Sequence, residues 1–212
     1  IPSKTNIFYR NKMEFAFSQN ENKELILGLK KRGHFDKVIS ISSCQLQSKT
    51  SNEILEFTSN YFKKTNLSAW DPHQHKGCLR YLTIRHSKTL NNYMLNLIVA
   101  EDHKDIYIDF SKEISKAFPE ITSIYYGLQK EKSDTATTKT LIHLFQDQSI
   151  SETLEGLSFK ISPLSFFQTN TIQAEVLYNK IKQLADLNKN DILLDLYCGT
   201  GTIGLFLAKQ VK

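Results

Sequence analysis

Cysteine is scarce in this chain and poorly spaced for chemistry: Cys44, Cys78 and Cys198 stand apart, with no Cys-x-x-Cys pair. That pattern argues against a disulfide scaffold and fits a reducing cytoplasm. No apolar run approaches the length needed to span a bilayer, so no membrane association is expected. No charged-then-apolar segment of the secretory type opens the sequence. Internal repeats, coiled-coil heptads and long low-complexity tracts are also missing. His73 and His75 are close together, but no third ligand follows at zinc spacing, so the pair reads as a surface loop. Charge of neither sign dominates: 27 Lys and Arg face 22 Asp and Glu, a formal +5. Such a mild excess is compatible with a polyanionic partner without requiring one. Basic residues cluster at Lys30-Lys31-Arg32, Lys63-Lys64 and Arg80 with Arg85, and a solvated surface would explain any one of these groups.

What is present is enough for a sizeable core. The 212 residues are 40% hydrophobic, room for one large domain or one and a half small ones. From Tyr9 to Phe17 the sequence alternates, which puts Tyr9, Asn11, Met13, Phe15 and Phe17 on one strand face and Arg10, Lys12 and Glu14 on the other. Leu25–Leu29 is its hairpin partner, and Lys30–Gly33 the exposed end. Ile54, Phe57, Tyr61 and Phe62 recur at helical spacing. Strands are expected at 79–85, 93–100, 121–128 and 141–145, and a short helix at 111–117, before Pro119; Leu157–Ile161 then leads into Pro163. The segment 130–140 is charged, rich in Ser and Thr and free of aromatics, a flexible loop. Asn170 or Thr171 caps a helix carrying Ile172, Val176, Ile181 and Leu184.

The segment Asp191-Ile-Leu-Leu-Asp195-Leu-Tyr-Cys-Gly199-Thr-Gly201-Thr-Ile-Gly204 is the most specific. Ile192 to Leu194 reads as a strand buried on both faces. Gly199 and Gly201 permit positive φ and close backbone approach to a ligand, and a helix opening near Thr202 offers free N–H groups. Gly199-x-Gly201-x-x-Gly204 also fits the dinucleotide fingerprint, but that fingerprint wants its acid about 20 residues further on. Here the acid, Asp195, lies at the strand tip, which suits a cofactor with a cationic amino-acid end such as S-adenosylmethionine.

Together with Ser162-Pro-Leu-Ser-Phe166-Phe167-Gln168-Thr169-Asn170, with Tyr9-Arg10-Asn11-Lys12-Met13-Glu14-Phe15, and with Gly77-Cys-Leu-Arg80-Tyr-Leu-Thr-Ile-Arg85, this segment resembles the RNA (uracil-5-)-methyltransferase family. The likeness runs in order over nearly the whole chain. It implies an α+β fold: a central RNA-facing sheet domain over 1–150, then the first strand and helix of a Rossmann-like α/β methyltransferase domain over 151–212. The chain is accordingly expected to be a fragment. The implied activity is methyl transfer from S-adenosylmethionine to carbon 5 of a uridine in RNA, ribosomal RNA before transfer RNA, with no DNA partner. Two alternatives stand beside it: a non-catalytic RNA-binding module that retains the glycine turn, and a Rossmann methyltransferase acting on another group.

The resemblance also assigns residues. Gln168, Asp195, Tyr197, Gly199, Gly201 and Thr202 would bind S-adenosylmethionine, although the acid expected to hold the ribose would lie beyond Lys212. Phe166 would lie against the target base, and Arg10, Lys12, Arg80 and Arg85 would form a basic stripe for phosphates. The cysteine nucleophile and the general base would both lie beyond Lys212, so no catalytic residue is assigned here. Cys198 is read as a small packing residue rather than a nucleophile. Cys44 matches the fourth ligand of an iron–sulfur cluster in some members; a lone cysteine holds no cluster, so any cluster would belong to a longer parent protein. A first strand and helix cannot bury their own apolar faces. Leu193, Leu205 and Phe206 should therefore pack on the central domain, pack on a partner chain, or stay exposed, with association as a consequence.

Overall fold

The computed structural model describes all 212 residues, Ile1 to Lys212. Its centre is a seven-stranded sheet built from β1 (Lys12–Gln19), β2 (Leu25–Lys30), β3 (Val38–Ser40), β4 (Leu79–His86), β5 (Tyr93–Val99), β6 (Ile121–Leu128) and β7 (Thr140–Gln146). The spatial order is β3-β2-β1-β4-β5-β6-β7. Every neighbouring pair is antiparallel except β5 and β6, which run parallel. A parallel pair needs a crossover, and α2 (Lys104–Ala117) supplies it. A further helix, α1 (Lys49–Lys63), starts on Ser48, whose side chain accepts the Ser51 N–H at 3.1 Å.

Alternation decides what each face of the sheet meets. Met13 and Phe15 pair in register with Ile84 and Leu82, and these in turn with Leu95 and Leu97. This face forms the main core with Ile54, Leu55 and Phe62 of α1 and Tyr107, Phe110 and Ile114 of α2. The aromatic rings interlock: Phe62 packs edge-on to Phe17 at 5.7 Å and tilted against Phe110 at 5.0 Å. Edge-on and tilted pairs of this kind add to simple area burial.

The second face is mixed, with Tyr81, Thr83, Arg85, Met94, Asn96 and Tyr125 in lateral register. The C-terminal third covers it. The hairpin β8 (Ile150–Leu154) and β9 (Leu157–Ile161), helix α3 (Thr171–Ala185) and the short α4 (Thr202–Leu207) bury a second core against Met94 and Tyr125. Ile150, Phe159, Phe167, Tyr178 and Phe206 belong to it. Asn170 caps α3, accepting the Gln173 N–H at 3.0 Å.

Most expected elements form, with three differences. Helix α2 begins seven residues earlier than the expected 111, because Tyr107 and Phe110 continue its buried stripe. The strands β3, β8 and β9 are not among those expected, and β8 falls at the expected domain boundary. The third difference concerns the apolar run 192–194, which forms no strand. Ile192 and Leu194 are 88% and 76% exposed. A strand is stabilised by its neighbours, and no other segment of this chain pairs with this one. Leu193 and Phe206 do pack on the second core, while Leu205 stays half exposed. No helix is long and apolar enough to cross a membrane.

Candidate functional site

Asp195 and the glycine turn keep a defined geometry without the strand. Tyr197, Gly199 and Gly201 have φ of 60°, 56° and 69°. Glycine carries that conformation without strain, and an aromatic residue does not. The turn closes through the Gly201 N–H donating to the Cys198 carbonyl at 2.8 Å, and α4 begins immediately after it. Asp195 Oδ2 accepts the Gly204 N–H at 2.9 Å, so the acid caps this helix from within its own loop. A Cβ on Gly199 would meet nothing within 4 Å, which leaves its backbone open to a ligand. Tyr197 is fully exposed, with its ring packed on no part of the chain. Thr202 Oγ1 lies 3.0 Å from the hydroxyl of Tyr178, and the Tyr178 ring packs edge-on to Phe206 at 5.5 Å. Tyr178 thus ties α3 to the turn. The expected stripe of this helix ran through Ile172, Val176, Ile181 and Leu184 and passed Tyr178 over; the buried face is instead Thr171, Ala174 and Tyr178, with Ile172 and Leu184 exposed.

The segment 162–170 is fixed from the sheet. Asn11, buried, donates its Nδ2 to the Gln168 carbonyl and to Thr171 Oγ1, both at 2.8 Å, and its backbone N–H to the Thr169 carbonyl. The Gln168 side chain is half-buried beside it. Phe166 is 69% exposed, whereas Phe167 is in the second core. Beneath them Glu152, 1% exposed, takes the Lys88 N–H at 2.8 Å, the Thr89 N–H at 3.1 Å and the hydroxyls of Thr89 and Thr171 at 2.5 and 3.2 Å. One carboxylate therefore joins the β4–β5 turn to the start of α3. Nothing in the local sequence marks it, since its partners are 19 and about 64 residues away.

The expected basic stripe is corrected on two of its four positions. Arg80 and Arg85 are 3% and 2% exposed. Arg80 lies over Trp70 at 4.4 Å and donates through Nη1 to the carbonyls of Gln129 and Glu131, both at 2.7 Å, and through Nη2 to that of Ser133. Arg85 donates to the Ser165 carbonyl at 2.7 Å, and burial lowers its guanidinium to about 10. These side chains face inward because the 130–139 loop and the 162–170 segment cover this side of the sheet. Neither is placed to meet a phosphate. Arg10 precedes β1 and donates its Nε to the Lys12 carbonyl at 3.3 Å; Lys12 pairs with Glu14 at 2.7 Å, and both cations stay half-exposed.

Cys44 is a half-buried free thiol packed against the main core, its backbone tied to the Asn52 side chain. One thiol is a single ligand and cannot hold a cluster by itself. Cys198 is exposed, not the packing residue expected.

His86 supplies a pH dependence. Its ring stacks on Tyr93 at 4.2 Å, and Nε2 donates to Asn91 Oδ1 at 3.0 Å. Burial first, then the charge of Lys88, pushes the imidazole down to about 4. The unfolded chain takes up this proton as pH falls below about 6.5, while the folded protein refuses it until about 4. Stability should therefore decline from pH 6.5 to pH 4. His86→Phe, which keeps the stack, should flatten that part of the profile in urea titrations. Parallel profiles for the two proteins would refute it.

A glycine turn opening onto a helix, beside an exposed-aromatic loop on the second face of the sheet, is the arrangement that the resemblance to RNA methyltransferases leads one to expect. Comparison with known proteins agrees. No family model matches the chain. It is 33% identical over its whole length to an uncharacterized RNA methyltransferase of Nanoarchaeum equitans, covering 46% of that protein. It is 36% identical over 97% of its length to another from Bacteroides thetaiotaomicron, covering 48% of it. Among solved structures it superposes on 48% of the tRNA (uracil-54, C5)-methyltransferase of Pyrococcus abyssi, which was crystallised with S-adenosyl-L-homocysteine. The TM-score is 0.79, at 27% identity over 99% of this chain. The chain is thus similar over nearly all of its length to RNA methyltransferases, and it spans about half the length of the relatives it matches.

Proposed function

We propose that this chain is the RNA-facing domain (1–150) and the opening of the cofactor domain (151–212) of a cytoplasmic, S-adenosylmethionine-dependent enzyme that methylates carbon 5 of a uridine in RNA. The observation that carries the reading is the Asp195–Thr202 turn, held open on the sheet face that also presents Phe166. Its residues fit the cofactor in part: the Gly199 backbone is unobstructed, the Tyr197 ring is free, and the Gln168 side chain forms no hydrogen bond within the protein. When bound, S-adenosylmethionine supplies the electrophilic methyl group. Within this chain, Gly199 and Gly201 let the backbone approach it. Tyr197 offers an aromatic cover, Gln168 and Thr202 offer hydrogen bonds, and Asp195 holds both the helix and a negative potential. Phe166 gives a target base lifted from its stack a surface to lie on, with Arg10 and Lys12 beside it for phosphates.

We assign the cysteine nucleophile and the base to the part of the relatives that this chain does not span. Attack of a thiolate on carbon 6 would make carbon 5 nucleophilic, dividing one hard step into easier ones. The Cys44 match favours ribosomal RNA, and the Pyrococcus abyssi relative favours transfer RNA, so both belong in the assay. The complete protein should transfer labelled methyl groups to one of them and should form a denaturation-resistant complex with its 5-fluorouridine form. Gly201→Val, which strains a φ of 69°, should weaken cofactor binding by about tenfold or more. Methyl transfer without a covalent complex would point to another target group. Absence of both would leave an RNA-binding module.

A further inference from the structure

On the sheet's second face, a groove of about 870 Å³ runs between the 130–139 loop and the 162–170 segment. Phe166 lies on one wall and Asp134 on the other, and Arg10, Lys12 and Lys30 are its cations. Two carboxylates line it as well: Glu14, paired with Lys12, and Asp134. Asp134 Oδ1 accepts both from the Lys30 ammonium and from the Tyr81 hydroxyl. The Lys30 ammonium also sits 5.3 Å from the centre of the Tyr81 ring. An ammonium and a phenol converging on one oxygen form a donor pair that a phosphate oxygen satisfies as well as a carboxylate does.

The two ends of the Asp134 loop are held differently. Its base is locked by the buried Arg80 on the carbonyls of Gln129, Glu131 and Ser133. Ala136 is buried against Ala16, Tyr81 and Ile98. The Asp134 side chain, however, is 46% exposed and that of Lys30 31%. An ion pair this accessible to solvent contributes little, so rotation of the Asp134 side chain would open the pair without moving the base of the loop. Burial, and then Asp134, keep the Tyr81 phenol protonated and therefore a donor.

We propose that Lys30 and Tyr81 form a backbone-phosphate subsite for the RNA strand whose base lies on Phe166, and that Asp134 fills it in the free protein as an internal anion the phosphate displaces. This rests on the RNA methyltransferase reading.

The test uses the complete protein and a fluorescein-labelled uridine-containing RNA stem–loop, with anisotropy titrations at several KCl concentrations. Removing the competing anion in Asp134→Asn should tighten binding by about three- to tenfold at fixed salt. Lys30→Met should weaken binding, lower the salt slope by about one and abolish the gain from Asp134→Asn in the double variant. Tyr81→Phe should reduce that gain. Unchanged or weaker binding by Asp134→Asn, with a wild-type melting temperature, would overturn the subsite while the RNA reading stands. No salt-dependent binding by the wild type would overturn both. Should Asp134→Asn fail to fold, Lys30→Met decides: an unaltered affinity and slope would overturn the proposal.

Discussion

Replacing Glu152 by alanine should cost the fold about 3–5 kcal/mol, the largest loss expected from any single polar residue of this chain. The carboxylate is buried and accepts from two backbone N–H groups of the β4–β5 turn and from the hydroxyls of Thr89 and Thr171. Removing it leaves these donors enclosed without an acceptor, and each such group costs about 1–3 kcal/mol. Glu152→Gln should recover only part of the loss, because its amide NH2 would face donors. Urea denaturation should show the midpoint falling with the slope unchanged. The local consequence is testable too: amide exchange at Thr171 and the following residues of α3 should accelerate, since Thr171 loses its link to the sheet. A loss under about 1 kcal/mol would mean that the 87–89 turn and α3 are held by other contacts.

Arg80→Ala should be the next most damaging substitution, at about 2–4 kcal/mol, with the effect concentrated in the 130–139 loop. Its guanidinium spans three carbonyls of one loop and lies over Trp70, four contacts that a single planar group makes at once. Arg80→Lys should not restore them, because an ammonium is a point charge without the planar fork. The loop's susceptibility to limited proteolysis should rise in both variants, while the α1 and α2 face of the sheet keeps its exchange protection. Equal rescue by lysine would show that charge rather than geometry holds the loop.

The fate of Arg80 and Arg85 explains what sequence reading can and cannot reach. Alternation in β1 was legible because one face, Met13, Phe15 and Phe17, is uniformly apolar and its opposite carries Lys12 and Glu14. The β4 strand alternates too, Tyr81-Thr83-Arg85 against Leu82-Ile84, and on its own that pattern reads as half-solvated. It is not solvated, because all eight residues of β4 are buried. The cover comes from segments about 50 and 80 residues downstream, whose carbonyls take the guanidinium protons. An arginine's pattern in a strand is the same whether its partner is a phosphate or a distant backbone carbonyl.

The apolar run at 192–194 fails in the opposite direction. Its composition is right for a buried strand, and the turn after it, the helix at Thr202 and the positive φ of Gly199 and Gly201 all form as the local sequence demands. Burial of the strand is not a local property, and without a paired neighbour Ile192 and Leu194 face solvent.

By itself, then, the sequence determined everything that depends on short-range physics: most of the strands and helices, the Asn170 cap, the glycine turn, and the motif order that links the chain to RNA methyltransferases. Only the tertiary structure decided which polar groups are enclosed. Glu152, Asn11 and Arg80 became structural centres, and Asp134 came to rest on Lys30 and Tyr81. The physical reason is the range of the interaction. Backbone propensity and side-chain periodicity are set within a few residues, whereas the partner of a buried charge is chosen by how the C-terminal third folds over the sheet.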